Sequence, residues 1–332
     1  MHRFALALVF GAAAIFLFAR LASYGIWDPW ELEAADAARR AATGEAFFAG
    51  RPPLSQWLVA SGFALLGVHE WSGRLPLALA GLLAGVVAYL WARRFAGRRA
   101  GLWAALIATT SPLMLFHSRQ MLGQAPAFLV SAGVAWCASR AVFAPGRRGG
   151  EPSALGTALW LGGAAAFAAL ATLASGVLLG VVPPLLAVAA ATLARRELFG
   201  PDRVRRAAAW IVVGAGVAVA LGAVHAIWAD YAGFGWWTGG APRGGAPTWE
   251  IPIEQIFHSF APWSALLPLA LARMLLPPPA PPTPPLGPLR LRPPGHAPAV
   301  REANEQSLRV IVIVWAALGY AAQSLFSARF GA

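Results

Sequence analysis

The sequence predicts an all-α, polytopic membrane protein with about nine transmembrane spans and a helical first extracytoplasmic loop. Hydrophobic residues make up 58% of the 332 residues and charged residues only 12%, whereas soluble domains carry roughly 25% charged residues. Apolar runs recur along the chain at about the 20-residue length that a helix needs to cross a bilayer. Arginines concentrate in alternate gaps between these runs, as in multi-pass membrane proteins. This composition excludes a soluble globular protein.

The apolar runs define the predicted spans and their limits. The first run follows Arg3 and has the pattern of a signal peptide, but Arg20 interrupts the region where cleavage would occur, which favours a retained helix. Several runs are rich in glycine and alanine, which allow close helix packing in lipid. The predicted spans are 4–26, 75–92, 100–118, 122–143, 153–171, 173–194, 207–228, 259–276 and 308–326.

The charges predict the orientation in the cell inner (cytoplasmic) membrane. The chain has no lysine, and an N-terminus placed inside puts 18 of the 26 arginines on the cytoplasmic side. The same orientation puts 9 of the 14 acidic residues on the extracytoplasmic, periplasmic side. The arginines therefore indicate membrane topology, and we expect membrane lipids and no nucleic acid as partners.

One transmembrane domain over residues 1–332 accounts for the whole pattern. It includes a first extracytoplasmic loop at 27–74, a second large loop at 230–258 and a proline-rich cytoplasmic linker at 277–307. The sequence ends directly after the ninth predicted span, so we expect that it corresponds to the N-terminal portion of a longer protein. The single cysteine, Cys137, excludes a disulfide within one chain.

The stretch GIWDPWELEAADAARR at 25–40 opens the first loop and allows two interpretations. In the first, Asp28 caps a helix, Pro29 occupies its first position and Glu31 bonds back to the cap. Asp36 then pairs with arginines one turn on. In the second, Asp28 or Glu31 is a general base, or a ligand of a divalent cation such as Mg²⁺ or Mn²⁺.

Other side chains near the outer face suggest phosphate and substrate contacts. Arg51 precedes Pro52-Pro53, whose rigidity suits a fixed guanidinium fork for phosphate. Arg119, at the outer end of the third span, either meets phosphate or extends to the interface. Aromatic residues either line a substrate site or form an interfacial belt. The candidates for substrate lining are Trp27, Trp30, Trp57, His117 and Gln124.

The ordered series WDPWE, FFAGRPPLSQWL, FALLGVHEWSGRLP, ARRFAGRRAGLWAAL and SPLMLFHSRQMLGQAP resembles the GT-C membrane glycosyltransferases of the protein O-mannosyltransferase and aminoarabinose transferase group. The resemblance resumes at PTWEIPIEQIFHSFAPWSALLP and LFSARFG. It implies a GT-C-like helix bundle, a polyprenyl-phosphate sugar donor and an acidic pair in the first outer loop. It also implies that the basic residue before the prolines contacts the donor phosphate.

The resemblance carries over to particular positions. Glu31 matches the second acid of the family pair, while Trp30 stands where the first usually is, so Asp28 is a candidate substitute. Arg51 matches the basic residue before the prolines, although one residue is inserted before it. Arg74, in SGRLP, matches a recurrent family arginine near the second span and is a further candidate for the donor phosphate.

Two departures from the family pattern keep two functions open. Gln124 stands where the family usually has an aspartate of the active site, and Ser175 stands where it often has lysine. The first hypothesis is an enzyme that moves a sugar from a polyprenyl-phosphate donor to a lipid, glycan or protein acceptor on the extracytoplasmic side. The alternative is a non-catalytic polyprenyl-phosphate-binding or assembly protein. A transporter is disfavoured because the sequence shows no convincing internal repeat.

Overall fold

The computed structural model describes residues 2–45, 52–122, 124–143, 154–194, 214, 253, 258–276 and 296–330. Over these ranges the protein is helical and has no strand, which confirms the predicted all-α class. The helices are α1 (His2–Phe18), α2 (Trp30–Ala42), α3 (Pro53–Leu66), α4 (Glu70–Thr110), α5 (Pro112–Arg119), α6 (Ala125–Val142), α7 (Ala154–Gly180), α8 (Val182–Ala194), a 3₁₀ turn (Trp263–Leu266), α9 (Leu267–Leu275) and α10 (His296–Phe330).

Four described helices are long and apolar enough to cross a bilayer. They are Glu70–Thr110, Ala125–Val142, Leu155–Gly180 and Glu305–Leu325. Shorter apolar helices occur within α1, α3, α8 and the segment of the 3₁₀ turn and α9. The predicted seventh span, 207–228, lies outside the described residues apart from Gly214. The second outer loop, 230–258, likewise lies outside them apart from Ile253 and His258.

The first helix ends earlier than the sequence predicts. Its apolar run continues to residue 26, but α1 stops at Phe18, and Arg20 adopts a left-handed backbone with φ of 57°. This conformation is uncommon for a residue with a side chain, and it cannot continue a right-handed helix. Residues 19–29 therefore leave the helix and form a connecting segment, so the prediction for 4–26 was wrong beyond Phe18.

Glycines break two of the long helices near the predicted gaps. Gly97 has φ of 90° and divides α4, close to the end of the arginine-rich gap between the second and third predicted spans. Gly176 has φ of 73° and divides α7, close to the boundary between the predicted spans 153–171 and 173–194. A positive φ costs glycine little because it has no Cβ. The chain can therefore change direction at these points.

The segment 27–74, predicted as the first outer loop, is helical as predicted and contains α2 and α3, but α2 begins differently from the expectation. Pro29, not Asp28, occupies the cap position, and no side chain caps the helix. The Glu31 carboxylate instead accepts a hydrogen bond from the Trp27 N–H at 3.1 Å. The prediction that Asp28 is the cap was therefore wrong. Glu31 does bond back to the start of the helix, but the donor is the Trp27 N–H and not the N–H of Asp28.

Packing places this loop against one end of the bundle. Helices α2 and α3 pack against each other, and α3 also packs along α4. A buried cluster joins Ala34, Ala38, Val59, Leu77 and Met121 from α2, α3, α4 and the turn after α5. A second cluster joins α4, α6, α7, α8 and α10. The loop is therefore held to the bundle by apolar burial, the largest favourable contribution to folding.

The helix that contains the predicted ninth span begins earlier than the span itself. Helix α10 begins at His296, twelve residues before the predicted span 308–326. The last part of the predicted proline-rich linker, 277–307, is therefore helical. Residues 277–295 lie outside the described part of the chain.

Candidate functional site

Glu31 lies fully buried at the start of α2, where every hydrogen bond recorded for its carboxylate comes from an N–H donor. Arg74 donates through Nε to Oε1 at 2.8 Å and through Nη2 to Oε2 at 2.7 Å. The Met121 N–H donates to Oε1 at 3.0 Å, and the Trp27 N–H donates to Oε2. Both carboxylate oxygens therefore carry two hydrogen bonds each, which uses the usual accepting capacity of the group.

Arg74 is also fully buried, and its guanidinium is equally occupied. Besides the two bonds to Glu31, Nη1 donates to the carbonyls of Leu21 and Tyr24 at 2.7 and 2.9 Å. Nη2 donates to the Gly25 carbonyl at 3.0 Å. These five bonds account for all five donors of an arginine. The predicted phosphate contact of Arg74 would require one of these bonds to break, so the geometry favours an anchoring role.

The electrostatics of Glu31 follow from these contacts. Burial alone raises its pKa, but the hydrogen bonds from Arg74, Met121 and Trp27, together with the positive charge of Arg74, hold the pKa below its ordinary value. Glu31 is therefore an ionised carboxylate with its proton-accepting positions occupied. This arrangement favours a positioning role for Glu31 over the predicted role of general base.

Asp28 has a contrasting environment one turn before Glu31. It is exposed, and among the described residues its carboxylate has no hydrogen bond or ion pair. It follows Trp27, whose backbone N–H is fixed by Glu31. The buried pair thus holds the backbone next to Asp28 while the Asp28 carboxylate remains accessible. Of the two predicted catalytic acids, Asp28 is the one whose carboxylate is free to accept a proton.

Three aromatic rings, which we term the aromatic surface, cluster around the residue before Asp28: Trp27, Trp30 and Phe116. The Trp27 ring lies 6.5 Å from Trp30 and 5.7 Å from Phe116 between centroids, both in edge-to-face arrangements. Trp27 and Trp30 are 52% and 63% exposed. Such rings present both an apolar face and a polar N–H. They can line a substrate site or meet the membrane interface, as the sequence indicated.

Arg119 lies at the end of α5 and binds the end of α1. Its guanidinium donates to the carbonyl of Phe16 and, at 2.8 Å, to that of Ala19. The Tyr24 hydroxyl donates to the Arg119 carbonyl at 2.6 Å. The guanidinium carbons of Arg119 and Arg74 lie over the Tyr24 ring, at 5.6 and 4.2 Å from its centroid. An arginine has five donors, so Arg119 retains N–H groups for a further anion.

The remaining predicted residues are more dispersed. His117 packs edge-to-face on Phe116, with centroids 5.3 Å apart, and its buried Nδ1 has no hydrogen-bond partner among the described residues. Gln124 is exposed at the N-terminus of α6 and does not cap that helix. Trp57 is half-buried on α3. Arg51 lies outside the described residues.

The departure at Ser175 has a clear structural setting. Its hydroxyl donates to the Ala171 carbonyl at 3.3 Å, one turn earlier in α7, just before the break at Gly176. A neutral hydroxyl bonded to its own helix supplies no positive charge. The described structure therefore offers no cationic replacement at this position for the lysine of the family pattern.

The residues around Glu31 do not fit a divalent cation. Within the described ranges no cluster of three or more histidine, cysteine or acidic side chains can hold a metal. The Glu31 oxygens face N–H donors and the guanidinium of Arg74, whereas Mg²⁺ requires oxygen ligands in near-octahedral geometry. Glu31 is therefore a hydrogen-bond acceptor for Arg74 and backbone N–H groups and not a ligand of a divalent cation.

Sequence reasoning missed the residues that complete this arrangement. The carbonyls of Leu21, Tyr24 and Gly25 and the Met121 N–H are backbone groups, which carry no residue-type signal. Tyr24 is the exception, because a tyrosine beside an interfacial loop commonly supplies both a ring and a hydroxyl. Its contacts with Arg74 and Arg119 tie together two arginines that the sequence identified separately.

Comparison with known proteins places the chain in one family. Residues 50–228, more than half of the chain, match the family model described as dolichyl-phosphate-mannose-protein mannosyltransferase. An uncharacterised protein of Aquifex aeolicus (strain VF5) is 29% identical over an alignment of 136 residues that covers 38% of this chain and 27% of that protein. The acids of the first outer loop, Asp28 and Glu31, precede the residues matched by the family model.

Solved structures show the same fold over nearly the whole chain. The crystal structure of ArnT from Cupriavidus metallidurans bound to undecaprenyl phosphate matches with a TM-score of 0.68 and 19% identity, covering 98% of this chain and 56% of that chain. ArnT in the apo state matches with a TM-score of 0.61 and 18% identity, covering 96% and 59%. The chain thus spans somewhat more than half the length of these structures and about a quarter of the Aquifex protein.

Proposed function

Because the chain belongs to the dolichyl-phosphate-mannose-protein mannosyltransferase family and has the GT-C fold of ArnT, we propose that it is a membrane glycosyltransferase. It moves a sugar from a polyprenyl-phosphate donor to a lipid, glycan or protein acceptor on the extracytoplasmic side of the cell inner membrane. The ArnT structure that matches most of this chain contains undecaprenyl phosphate. That ligand supports a polyprenyl-phosphate donor here.

The observation that carries the proposal is the contrast between the two acids of the first outer loop. Glu31 is buried and bonded to Arg74, whereas Asp28, three residues before it, is exposed and unbonded within the described structure. One acid fixes the loop, and the other is available for chemistry. This contrast supports Asp28 as the general base and Glu31 as a positioning residue.

The proposed reaction uses Asp28 as the proton acceptor. The Asp28 carboxylate takes the proton of the acceptor hydroxyl while the oxygen of that hydroxyl attacks the anomeric carbon of the donor sugar. The bond between that carbon and the phosphate oxygen breaks, and its electron pair leaves with the polyprenyl phosphate. Attack opposite the leaving group inverts the anomeric carbon. The aromatic surface of Trp27, Trp30 and Phe116 supports the apolar faces of the substrate beside Asp28.

Arginines stabilise the phosphate as it leaves. Two N–H groups of Arg119 donate to the carbonyls of Phe16 and Ala19, which fixes the guanidinium. Its other N–H groups remain for phosphate oxygens. Arg51, before the two prolines, is proposed as the second phosphate contact on the basis of the family pattern. Arg74 contributes indirectly, since it holds Glu31 and the segment around Tyr24 in place.

Turnover measured with the purified protein tests this proposal directly. The protein in liposomes is incubated with polyprenyl-phosphate sugars, including the mannose and aminoarabinose forms, and with membrane extract as a source of acceptors. We expect release of polyprenyl phosphate together with sugar on an acceptor. Binding of undecaprenyl phosphate is measured in parallel, so that a folded protein that binds the lipid is distinguished from an inactive preparation.

Two residues favour a second candidate function, a non-catalytic polyprenyl-phosphate-binding or assembly protein. Trp30 stands where the family has its first acid, and Gln124 presents a neutral, exposed amide at the start of α6 where the family has aspartate. An amide is not a base. Binding of undecaprenyl phosphate without turnover for any donor in the panel would support this candidate and contradict the enzyme.

A further inference from the structure

A groove that shares no lining residue with the Asp28 site lies between α1 and the part of α4 that follows Gly97. The cavity has a volume of about 250 Å³ and is lined by Val9, Arg99, Leu102, Trp103 and Leu106. Four of the five lining side chains are apolar, and the fifth is a guanidinium. The predicted orientation places the arginine-rich segment before this groove on the cytoplasmic side. The groove therefore combines an apolar wall with one positive charge at the cytoplasmic end.

The backbone explains why the charge lies at one end. Gly97 breaks α4 with φ of 90°, and the helix resumes directly before Arg99. Leu102 and Leu106 follow at spacings of three and four residues, so they share one face of the helix with Arg99. The Phe10 ring contacts Tyr89 with centroids 6.0 Å apart, which fixes α1 against the preceding part of α4. These contacts keep the walls of the groove in place.

The apolar wall is accessible from outside the bundle. Trp103 is 57% exposed, and its ring contacts Trp263 edge-to-face at 6.3 Å. The Trp263 indole N–H donates to the Thr110 hydroxyl at 3.0 Å, which ties this ring to the far end of α4. The groove thus opens toward the surface where a membrane protein meets lipid chains.

Arg99 has a charge without a partner in the described structure. It and Arg98 are exposed, and neither has a hydrogen bond or ion pair with another described residue. By contrast, the nearby Arg93 lies over the Tyr89 ring at 5.7 Å. An unpaired guanidinium at the end of an apolar groove complements a phosphodiester attached to an acyl chain.

We propose that this groove binds an anionic phospholipid of the cytoplasmic leaflet, with its phosphate at Arg99 and an acyl chain along Leu102, Trp103 and Leu106. The site is separate from the proposed transfer reaction and does not depend on it. The lipid would fill the space between α1 and α4 and stabilise their packing. It would also make the stability of this end of the bundle depend on the anionic lipid content of the membrane.

Native mass spectrometry of the purified full chain tests the headgroup preference. The probes are phosphatidylglycerol and phosphatidylcholine with identical acyl chains. One guanidinium near an anionic headgroup supplies about a fivefold preference, so we expect phosphatidylglycerol to bind about fivefold more tightly. The Arg99→Gln variant should lose this preference. The matched Arg98→Gln variant, which removes the same charge one residue away from the groove lining, should keep it.

Several results would overturn the proposal. Retention of the preference by Arg99→Gln would exclude Arg99 as the headgroup contact, and equal loss in both variants would assign the effect to general surface charge. Displacement of phosphatidylglycerol by equimolar undecaprenyl phosphate would assign the groove to an isoprenoid lipid instead. A second measurement uses lipids brominated in the acyl chain. Bromine quenches tryptophan fluorescence, and the part of this quenching that is lost in Trp103→Phe should be larger with brominated phosphatidylglycerol than with brominated phosphatidylcholine. Equal losses with the two lipids would contradict the acyl-chain placement.

Discussion

Arg74 and Glu31 form a two-point ion pair, with Nε to Oε1 at 2.8 Å and Nη2 to Oε2 at 2.7 Å, and neither side chain is exposed to solvent. The two residues are 43 positions apart in the chain. The pair joins the start of α2 to α4 and, through further hydrogen bonds, to the segment 21–25. This contact therefore positions the start of α2, in addition to the apolar cluster that holds the loop to the bundle.

Removal of one partner of this pair should strongly destabilise the protein. Arg74→Met or Glu31→Met leaves the other charge buried and unpaired, which costs about 3–5 kcal/mol. The double variant should lose less than the sum of the two single losses, because no uncompensated charge remains. The free energy of unfolding is measured by SDS titration in mixed micelles. Additive losses would show that the two charges do not interact.

Acidification should weaken the fold through the same pair. The pKa of Glu31 lies below its ordinary value of 4.5 in the folded protein, so its contribution to stability is fully present above about pH 5 and is lost as pH falls through the folded pKa. The unfolding temperature is compared at pH 7 and pH 3. Glu31→Gln should show a smaller decrease than the unaltered protein, and an equal decrease would contradict the shifted pKa.

The surface pair on α2 provides a contrasting case. Asp36 contacts Arg39 at 2.8 Å and Arg40 at 2.9 Å, as the spacing of these residues predicts, but all three side chains are at least 39% exposed. Exposed ion pairs contribute at most about 1 kcal/mol. Asp36→Asn should therefore change the free energy of unfolding by less than about 1 kcal/mol. A loss as large as that of Glu31→Met would show that burial is not the deciding factor.

The packing of α6 on α7 depends on Gly133. A Cβ at this position would lie 2.6 Å from Cε1 of the Phe167 ring, whereas a Cβ at Gly162 would meet no atom within 4 Å. Gly133→Ala should cost about 1–3 kcal/mol through overpacking. Gly162→Ala, the matched control on α7, should leave stability unchanged or slightly higher. Equal effects of the two substitutions would contradict the close contact between these helices.

Arg119 should affect donor binding more than neighbouring arginines do. A hydrogen bond to a charged group contributes about 1.5–3 kcal/mol, so Arg119→Gln should weaken binding of undecaprenyl phosphate by at least about tenfold. Arg20→Gln, which removes an exposed arginine in the segment after α1, is the control. Binding to lipid nanodiscs is measured for both. An equal loss would indicate general attraction of the anionic lipid to the outer face.

The sequence predicted features that depend on local pattern. Gly97 and Gly176 lie near the ends of charged or polar gaps, so the helix breaks could be predicted from hydropathy. The pairing of Asp36 with Arg39 and Arg40 follows from helical spacing. The family resemblance identified Glu31 and Arg74 as important positions, and the ordered motifs indicated the GT-C fold that the ArnT structures share.

Features that depend on distant parts of the chain could not be predicted in the same way. The Glu31 carboxylate meets Arg74 and the Met121 N–H only after α2, α4 and the turn after α5 have packed together. The early end of α1 was also missed, because residues 19–26 are apolar enough to continue the span. Their backbone carbonyls bind Arg74 and Arg119 instead, and hydropathy does not register such contacts.

The most direct measurement of the central account compares sugar transfer by Asp28→Asn, Glu31→Gln and Asp36→Asn with their thermal stabilities. Loss of a general base lowers turnover by about 10²–10⁴-fold, so Asp28→Asn should lose turnover by that factor while its unfolding temperature and its affinity for undecaprenyl phosphate stay unchanged. Glu31→Gln should lower both stability and turnover, and Asp36→Asn should lower neither substantially. Full turnover by Asp28→Asn, or loss of turnover by Glu31→Gln at unchanged stability, would contradict the assigned roles.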